Sequence, residues 1–373
     1  MIQRLLIARL QERLGRKKAI LLLGPRQTGK TTLAKTLLAD FPEKSLYLNA
    51  DEPLDRERLT DASSAKLQQL TAGYDFVVID EAQRVRNIGL TIKLMVDQFP
   101  EKQVLATGSS SLDLANTMNE PLTGRKFEFN LFPISWQEWS NHIGALEAER
   151  GLEQRLLYGM YPDVLNNPGD ERMTLAGLTS GYLYKDLFAF GAIRKPEILD
   201  RLVKALALQL GNEVSYNELA NTLKTDKETV SNYISLLEKA FIIFRLQPLS
   251  RNARREISTS RKIYFYDNGI RNMLIGNFNP LELRSDTGAL WENFLVSERR
   301  KRNHYAGRFV TDYFWRTQAG QEIDYVEETD GQFEAFEFKW NPNRSVRFPK
   351  TFLDAYPNTP CSVVHRDNFL SFV

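Results

Sequence analysis

The stretch Lys18-Ala-Ile-Leu-Leu-Leu-Gly24-Pro25-Arg26-Gln27-Thr28-Gly29-Lys30-Thr31-Thr32 is an apolar run that enters a glycine-bounded loop and leaves it as a helix start. Its spacing matches G-x-x-x-x-G-K-[ST], a loop whose backbone N–H groups cradle phosphate. Gly24 and Gly29 carry no Cβ, so the chain can turn tightly and bring those N–H groups against an anion. Lys30 supplies a point charge toward the β- and γ-phosphates, and the Thr31 hydroxyl is the expected Mg²⁺ ligand. From Thr32 onward the residues read as a helix, whose N-terminal end adds a partial positive charge. Gly24, Pro25, Arg26, Gln27, Thr28, Gly29, Lys30, Thr31 and Thr32 are therefore expected to hold a nucleotide triphosphate.

A partner motif follows downstream. Lys44-Ser-Leu-Tyr-Leu-Asn49 is a short strand candidate, and Tyr74-Asp-Phe-Val-Val-Ile-Asp80-Glu81 is a buried-type strand ending in two carboxylates. This is the shape of a Walker B element: Asp80 would hold Mg²⁺ through its water shell, and Glu81 would polarise the attacking water. Gln103-Val-Leu-Ala-Thr-Gly-Ser-Ser-Ser111 reads as a further strand ending in small hydroxylic residues. The extra strand and the glutamate after Asp80 resemble the additional-strand, catalytic-glutamate class of phosphate-loop ATPases. That resemblance implies a γ-phosphate sensor at Thr107 or Ser109, with Thr107 nearer the strand tip. Arg125 is a candidate for neutralising charge on the transferring phosphoryl group, with Arg84 and Arg86 as competitors.

Composition limits the alternatives. A chain of 373 residues exceeds what one core usually holds, and 42% hydrophobic residues suffice to bury ordinary cores. A formal charge of +2 gives no whole-chain field for nucleic acid, so any basic site must be local. The lone Cys361 excludes an internal disulfide framework and suits a reducing cytoplasm, while His142, His304 and His365 have no zinc-ligand spacing. No apolar run reaches membrane-spanning length, so no membrane partner is expected. The opening Met1 to Leu14 interleaves arginines with leucines at helical spacing and reads as an amphipathic helix packed on the first domain.

Residues 145–200 turn helical and aromatic, as in Tyr158-Gly-Met-Tyr-Pro-Asp163 and Tyr182-Leu-Tyr-Lys-Asp-Leu-Phe188, and read as a lid or connector. Between 200 and 250, an apolar-periodic helix precedes Ser215-Tyr-Asn-Glu218, a capping-box pattern, and then the helix after Thr225. Two short helices, a tight turn and the β-rich Phe241-Ile-Ile-Phe-Arg-Leu246 resemble a winged helix-turn-helix. Its second helix would offer Lys227, Thr229, Ser231 and Asn232 to a groove of double-stranded DNA. Arg245, Arg251, Arg254, Arg255, Arg261 and Lys262 concentrate positive charge at the wing, where they could grip phosphates.

A second constellation closes the chain. Glu292 sits on a helix, Asp324 on a strand, and Phe336-Glu337-Phe-Lys339-Trp340 alternates so that Glu337 and Lys339 share one face. Brought together, Glu292, Asp324 and Glu337 could hold Mg²⁺, with Lys339 as a catalytic group, for phosphodiester cleavage. Helix Glu, strand Asp and Glu-x-Lys in this order resemble the PD-(D/E)XK nuclease superfamily, although Ile323 stands where that pattern has proline.

Taken whole, Gly24 to Thr31, Val77 to Glu81, Gly108-Ser-Ser, Leu122-Thr-Gly-Arg-Lys126, Arg261 to Ile270, Trp291-Glu-Asn-Phe294 and Glu322 to Val326 carry a resemblance to prokaryotic AAA+-superfamily ATPases of the archaeal-ATPase type, with a nuclease-like C-terminal domain. The resemblance implies an α/β multidomain chain: a P-loop NTPase domain with a parallel sheet and flanking helices over 1–145, a helical connector over 146–200, a winged-helix domain over 201–255, and a restriction-endonuclease-like α/β domain over 256–373. ATP and Mg²⁺ are the implied cofactors. ATP hydrolysis by Lys30, Glu81 and Arg125 is the implied reaction. The resemblance supplies no substrate; the winged-helix and nuclease-like readings make DNA or a protein the expected partner of the C-terminal half, and the oligomeric state stays open.

Overall fold

A computed structural model of the chain describes residues 1–109, 119–183, 193, 195–249 and 261–373. Arg251, Arg254 and Arg255 of the basic cluster, and Tyr184 to Phe188 of the aromatic connector, lie outside them. Among the described residues, twelve strands form two sheets.

The first sheet comprises β1 (Ala19–Leu23), β2 (Ser45–Asn49), β3 (Phe76–Asp80), β4 (Gln103–Gly108) and β5 (Lys126–Asn130), all parallel, in the order β2-β3-β4-β1-β5. Continuous apolar runs such as Ala-Ile-Leu-Leu-Leu suit strands covered on both faces. Successive side chains alternate between two cores. Leu21 and Leu23 pack with Val77, Ile79, Ile88, Ile92 and Met95, whereas Ile20 and Leu22 pack with Val78, Leu33, Leu37, Leu6 and Leu10. The amphipathic opening segment is thus docked on the sheet, as its leucine spacing predicts. β4 separates the loop strand β1 from the acid strand β3, and the strand expected at 45–49 forms the sheet edge beside β3.

The second sheet joins β6 (Glu213–Val214), β7 (Ile243–Pro248), β8 (Arg261–Phe265), β9 (Thr311–Arg316), β10 (Glu322–Thr329), β11 (Gln332–Phe338) and β12 (Cys361–Val364), in the order β12-β11-β10-β9-β7-β8-β6. Ahead of β7 stand the helices Pro196–Leu208, Tyr216–Leu223 and Lys227–Lys239, the last two capped by Ser215 and Asp226. After the hairpin come helix Thr287–Ala306, the antiparallel meander β9-β10-β11, helix Lys350–Ala355 and β12, parallel to β11.

The expected division at 255/256 is bridged by backbone pairing: β7 pairs in parallel with β9 through Gln247 opposite Tyr313 and Pro248 opposite Phe314, and Leu249 N–H continues the ladder to Phe314 O at 2.7 Å. A single buried core also runs from Trp136 through Leu156, Leu199, Val230, Trp291 and Phe314 to Val373, so the connector, the helices ahead of β7 and the C-terminal meander pack as one body.

The aromatic stretch Tyr158 to Asp163 meshes with Arg261 to Ile270. Asp267 caps helix Asn268–Ile275 by accepting the Ile270 N–H at 3.1 Å, and it also accepts the Met160 N–H at 2.7 Å. A Cβ on Gly269 would lie 2.1 Å from the backbone oxygen of Tyr158. Because that neighbour is backbone, Gly269→Ala should destabilise the chain by about 2–3 kcal/mol in urea unfolding, with little change in the m-value.

Candidate functional site

The carboxyl ends of the parallel strands gather the expected residues at one edge. Gly29 adopts φ +93° and caps helix Lys30–Leu38, so the first helical N–H groups open toward the loop. Gly24 has φ +151°, and a Cβ there would fall 2.2 Å from Leu131 O. A side chain is excluded by sterics as well as by backbone angle. Thr28 Oγ1 donates to Pro25 O at 2.8 Å and closes the turn. The buried Lys30 Nζ donates to Gly24 O at 3.0 Å and to Pro25 O at 2.7 Å, which holds the ammonium over the loop.

Asp80 is the hub of the acid side. It is 3% exposed and accepts from Thr31 Oγ1 at 2.8 Å, from Tyr47 OH at 2.6 Å and from Thr107 Oγ1. A threonine hydroxyl and a carboxylate in direct contact at the mouth of an anion cradle are hard oxygen donors suited to Mg²⁺. Burial, followed by the hydrogen bond to Asp80, pushes the Tyr47 phenol well above its ordinary range, so it remains a donor. Glu81 takes the left-handed conformation at φ +51°, and its Oε2 accepts Gln83 Nε2 at 2.6 Å. The Gln83 Oε1 beside it is buried with no hydrogen-bond partner, a place where a water would be satisfied.

Two of the expected residues have partners of their own. Thr107, expected as a γ-phosphate sensor, donates to Asp80 and accepts the Glu81 N–H at 3.2 Å. Arg125 does not approach the phosphate loop within its own chain. It precedes β5, and its carbonyl pairs with the first residue of β1 at 2.9 Å, a strand length or about 16 Å from the loop. Its guanidinium is held by Asp97 at 2.6 Å. The competitors Arg84 and Arg86 pair with Asp51 and Asp61. Tyr47 was legible only as a strand residue; its hydroxyl on the strand beside β3 was the available signal.

Beside the loop lies a cavity of about 470 Å³, lined by Ile2, Gln3, Ile7, Thr32, Ile134 and Asn166 among others. Its walls come from the opening segment, the loop helix and the connector. Behind it, helix Thr287–Ala306 inserts its last turn into the first domain. His304 Nε2 accepts the Asn130 N–H at 3.0 Å, and Phe132 stacks on Tyr266 at 5.2 Å between ring centroids.

The second constellation assembles differently from expectation. A bulge in β10 between Ile323 and Val326 falls at Asp324, whose Oδ2 accepts the Phe338 N–H at 2.8 Å. Lys339 Nζ lies 2.8 Å from Glu337 and 3.4 Å from Asp324. Glu292, however, is taken by Lys262 Nζ at 3.0 Å and Tyr264 OH at 2.6 Å, and Lys262 also pairs with Glu322 at 2.5 Å. Burial pushes Glu292 and Glu337 up to about 7. Among the described residues no group of three His, Cys, Asp or Glu side chains is arranged to hold a metal ion. Lys262 and Lys339 fill the places between the carboxylates, so the expected second metal site does not fit a divalent ion as built. From its neighbours Lys262 reads as a wing residue; its position two before Tyr264 on one strand face is the signal for its place beside Glu292.

Comparisons with known proteins match a described family over the first domain and leave the rest open. Residues 16–140 match the family described as AAA domain, 149–281 a domain of unknown function (DUF8612), and 287–371 a domain of unknown function (DUF4143). The amino-terminal region is an AAA-type P-loop domain. An uncharacterized protein of Mycobacterium tuberculosis is 29% identical over 345 residues, covering 91% of this chain and 74% of that one. Another, of Methanocaldococcus jannaschii, is 26% identical over 300 residues, covering 69% and 63%. Among solved structures, the Aeropyrum pernix ORC1 protein in complex with DNA covers 73% of this chain and 91% of its own at 16% identity, with a TM-score of 0.31. The Thermotoga maritima RuvB Holliday junction branch migration motor covers 68% and 92% at 16% identity, with a TM-score of 0.33. Likeness at that level fixes no function. No helix among the described residues is long and apolar enough to cross a membrane.

Burial, then the nearby Arg9, pushes His304 down to about 4, so it is neutral at the seam. The unfolded chain then binds the extra proton between pH 6.5 and 4; stability is intact above about 6.5 and is lost as pH falls toward 4. His304→Gln, which retains an acceptor for Asn130, should flatten that limb by roughly 3 kcal/mol in denaturant titrations from pH 7 to 4.

Proposed function

We propose that the chain is an Mg²⁺-dependent ATPase whose nucleotide state controls the C-terminal body, and that this body engages DNA. The observation that carries the reading is the meeting of Thr31 Oγ1 with Asp80 at 2.8 Å, beside a loop in which Lys30 and two glycines are already set. Bound Mg²⁺ would neutralise charge on the β- and γ-phosphates. Thr31 and Asp80 would hold it, Asp80 through its water shell. Lys30 would exchange its loop carbonyls for phosphate oxygens, and the backbone N–H groups from Gly29 onward would cradle them. Glu81, oriented by Thr107 and restrained by Gln83, would accept the proton of the attacking water, with Gln83 Oε1 as a second acceptor for that water. The cavity walled by Ile2, Ile7 and Ile134 suits an apolar base, with Gln3 and Asn166 offering amide groups to its edge.

The DNA partner is supported by the helix-turn-helix ahead of a strand hairpin. Lys227 and Asn232 are exposed on the second helix, and the Thr229 hydroxyl donates to Asp226, the residue that caps that helix. Nuclease chemistry is not assigned, since two lysines already satisfy the acid cluster.

Lys30→Ala should abolish ATP binding measured by calorimetry. Glu81→Gln should retain binding while phosphate release slows by about 10²- to 10⁴-fold. Unimpaired turnover in both would sink the reading. DNA affinity of the full chain should fall steeply with salt, and replacing Arg251, Arg254 and Arg255 by Ala should reduce the slope of log K against log salt by about 3. A flat salt response would instead favour a protein partner.

A further inference from the structure

Arg4 belongs to no motif, yet its guanidinium is buried and touches four separate parts of the chain. Nη1 donates to Thr28 O of the phosphate loop at 2.6 Å. Nη2 donates to Phe132 O at 2.6 Å and to Tyr305 OH at 3.2 Å. Nε donates to Glu138 Oε1 at 3.0 Å. Glu138 is itself fixed by the N–H groups of Leu5 at 2.8 Å and Ser135 at 2.9 Å, so the arginine is aimed rather than merely neutralised. Tyr305, near the end of helix Thr287–Ala306, accepts the Phe132 N–H at 3.1 Å as well, and its ring is packed into the core under β1 and the loop helix.

The consequence for the loop follows from peptide geometry. A trans peptide is planar, with its C=O and N–H directed oppositely. Drawing Thr28 O toward Arg4 therefore turns the Gly29 N–H away from it, to the side where a phosphate is cradled. We propose that Arg4 is a positioning residue of the nucleotide site, and that Tyr305 fixes Arg4, so that the affinity of the phosphate loop for nucleotide is set by the C-terminal helix. This rests on the nucleotide-binding reading above and adds to it a route by which the C-terminal body and the loop act on each other. The coupling is reciprocal: nucleotide that tightens the loop also tightens the seam.

The experiment titrates full-length chain with Mg²⁺ and a fluorescent ATP analogue, comparing wild type, Arg4→Lys, Tyr305→Phe, the double variant, and Arg9→Gln. Arg9 spans the same seam by donating to His304 O at 2.7 Å but is not among the residues that hold the loop, so it reports seam loosening alone. The expected result is an affinity about tenfold weaker for Arg4→Lys, about threefold weaker for Tyr305→Phe, and no weaker in the double variant than in Arg4→Lys, because the two act through one contact. Arg9→Gln should stay within about twofold of wild type. An Arg4→Lys affinity within about twofold of wild type, or a double variant in which the two losses multiply, overturns the proposal. An equal loss in Arg9→Gln also overturns it, by making the effect general to the seam. Should Arg4→Lys fail to fold by circular dichroism, Tyr305→Phe, which keeps its ring in the core, decides alone. Wild type that binds no nucleotide removes the underlying reading along with this one, whereas wild type that binds alongside indifferent variants removes only the coupling.

Discussion

The structure turns on a backbone contact. Leu131 N–H donates to Leu23 O at 2.7 Å, and its own carbonyl occupies the volume a side chain on residue 24 would need. Because residue 24 has no side chain, the end of β5 can lie flush against the phosphate loop. That places Phe132 where it stacks on Tyr266 and places Ile134 in the wall of the cavity. The nucleotide mouth and the seam to the second body are thus two sides of one short segment, residues 130–136. Trp136 continues it, its N–H held by the buried Glu298 at 2.6 Å.

Electrostatics separates the two acid-rich places. At the amino-terminal site the partners of Asp80 are neutral hydroxyls, which can release it or share it with a cation at small cost. At the C-terminal cluster the partners are ammonium groups, Lys262 being 1% exposed. A divalent ion entering there would have to displace a buried charge already satisfied by Glu292 and Glu322, and removing such a partner is expensive. Similar side chains arranged as helix Glu, strand Asp and Glu-x-Lys therefore serve as an internal charge network.

Much of the first site was readable because its signals are local. The Gly24 to Thr31 spacing, the apolar run into Asp80 and the helix after Gly29 each lie within a few residues, where periodicity and steric argument work. Strand alternation likewise puts Glu337 and Lys339 on one face, and the two side chains meet at 2.8 Å. What escaped was non-local. Arg125 was read from its neighbours, but its distance from the loop depends on which end of β5 meets which end of β1. Arg4, Tyr47 and Lys262 gain their importance from partners up to 301 residues away, and no window of sequence contains both members of such pairs. The pairing that bridges 255/256 is non-local in the same way, since a parallel pairing of β7 with β9 leaves no trace in either strand alone.

That pairing bears on how the chain is made. β7 ends at Pro248 and cannot complete its outer ladder until Thr311–Arg316 has been synthesised, while β9 in turn needs β10 and β11. On an emerging chain the hairpin, complete at Phe265, would wait through some fifty residues, or about 2–10 s of synthesis, with one edge unsatisfied. The parallel sheet of the first domain, complete by Asn130, closes long before. The fold thus imposes a calendar on its own biogenesis, with a finished amino-terminal platform and a late, all-at-once closure of everything beyond it.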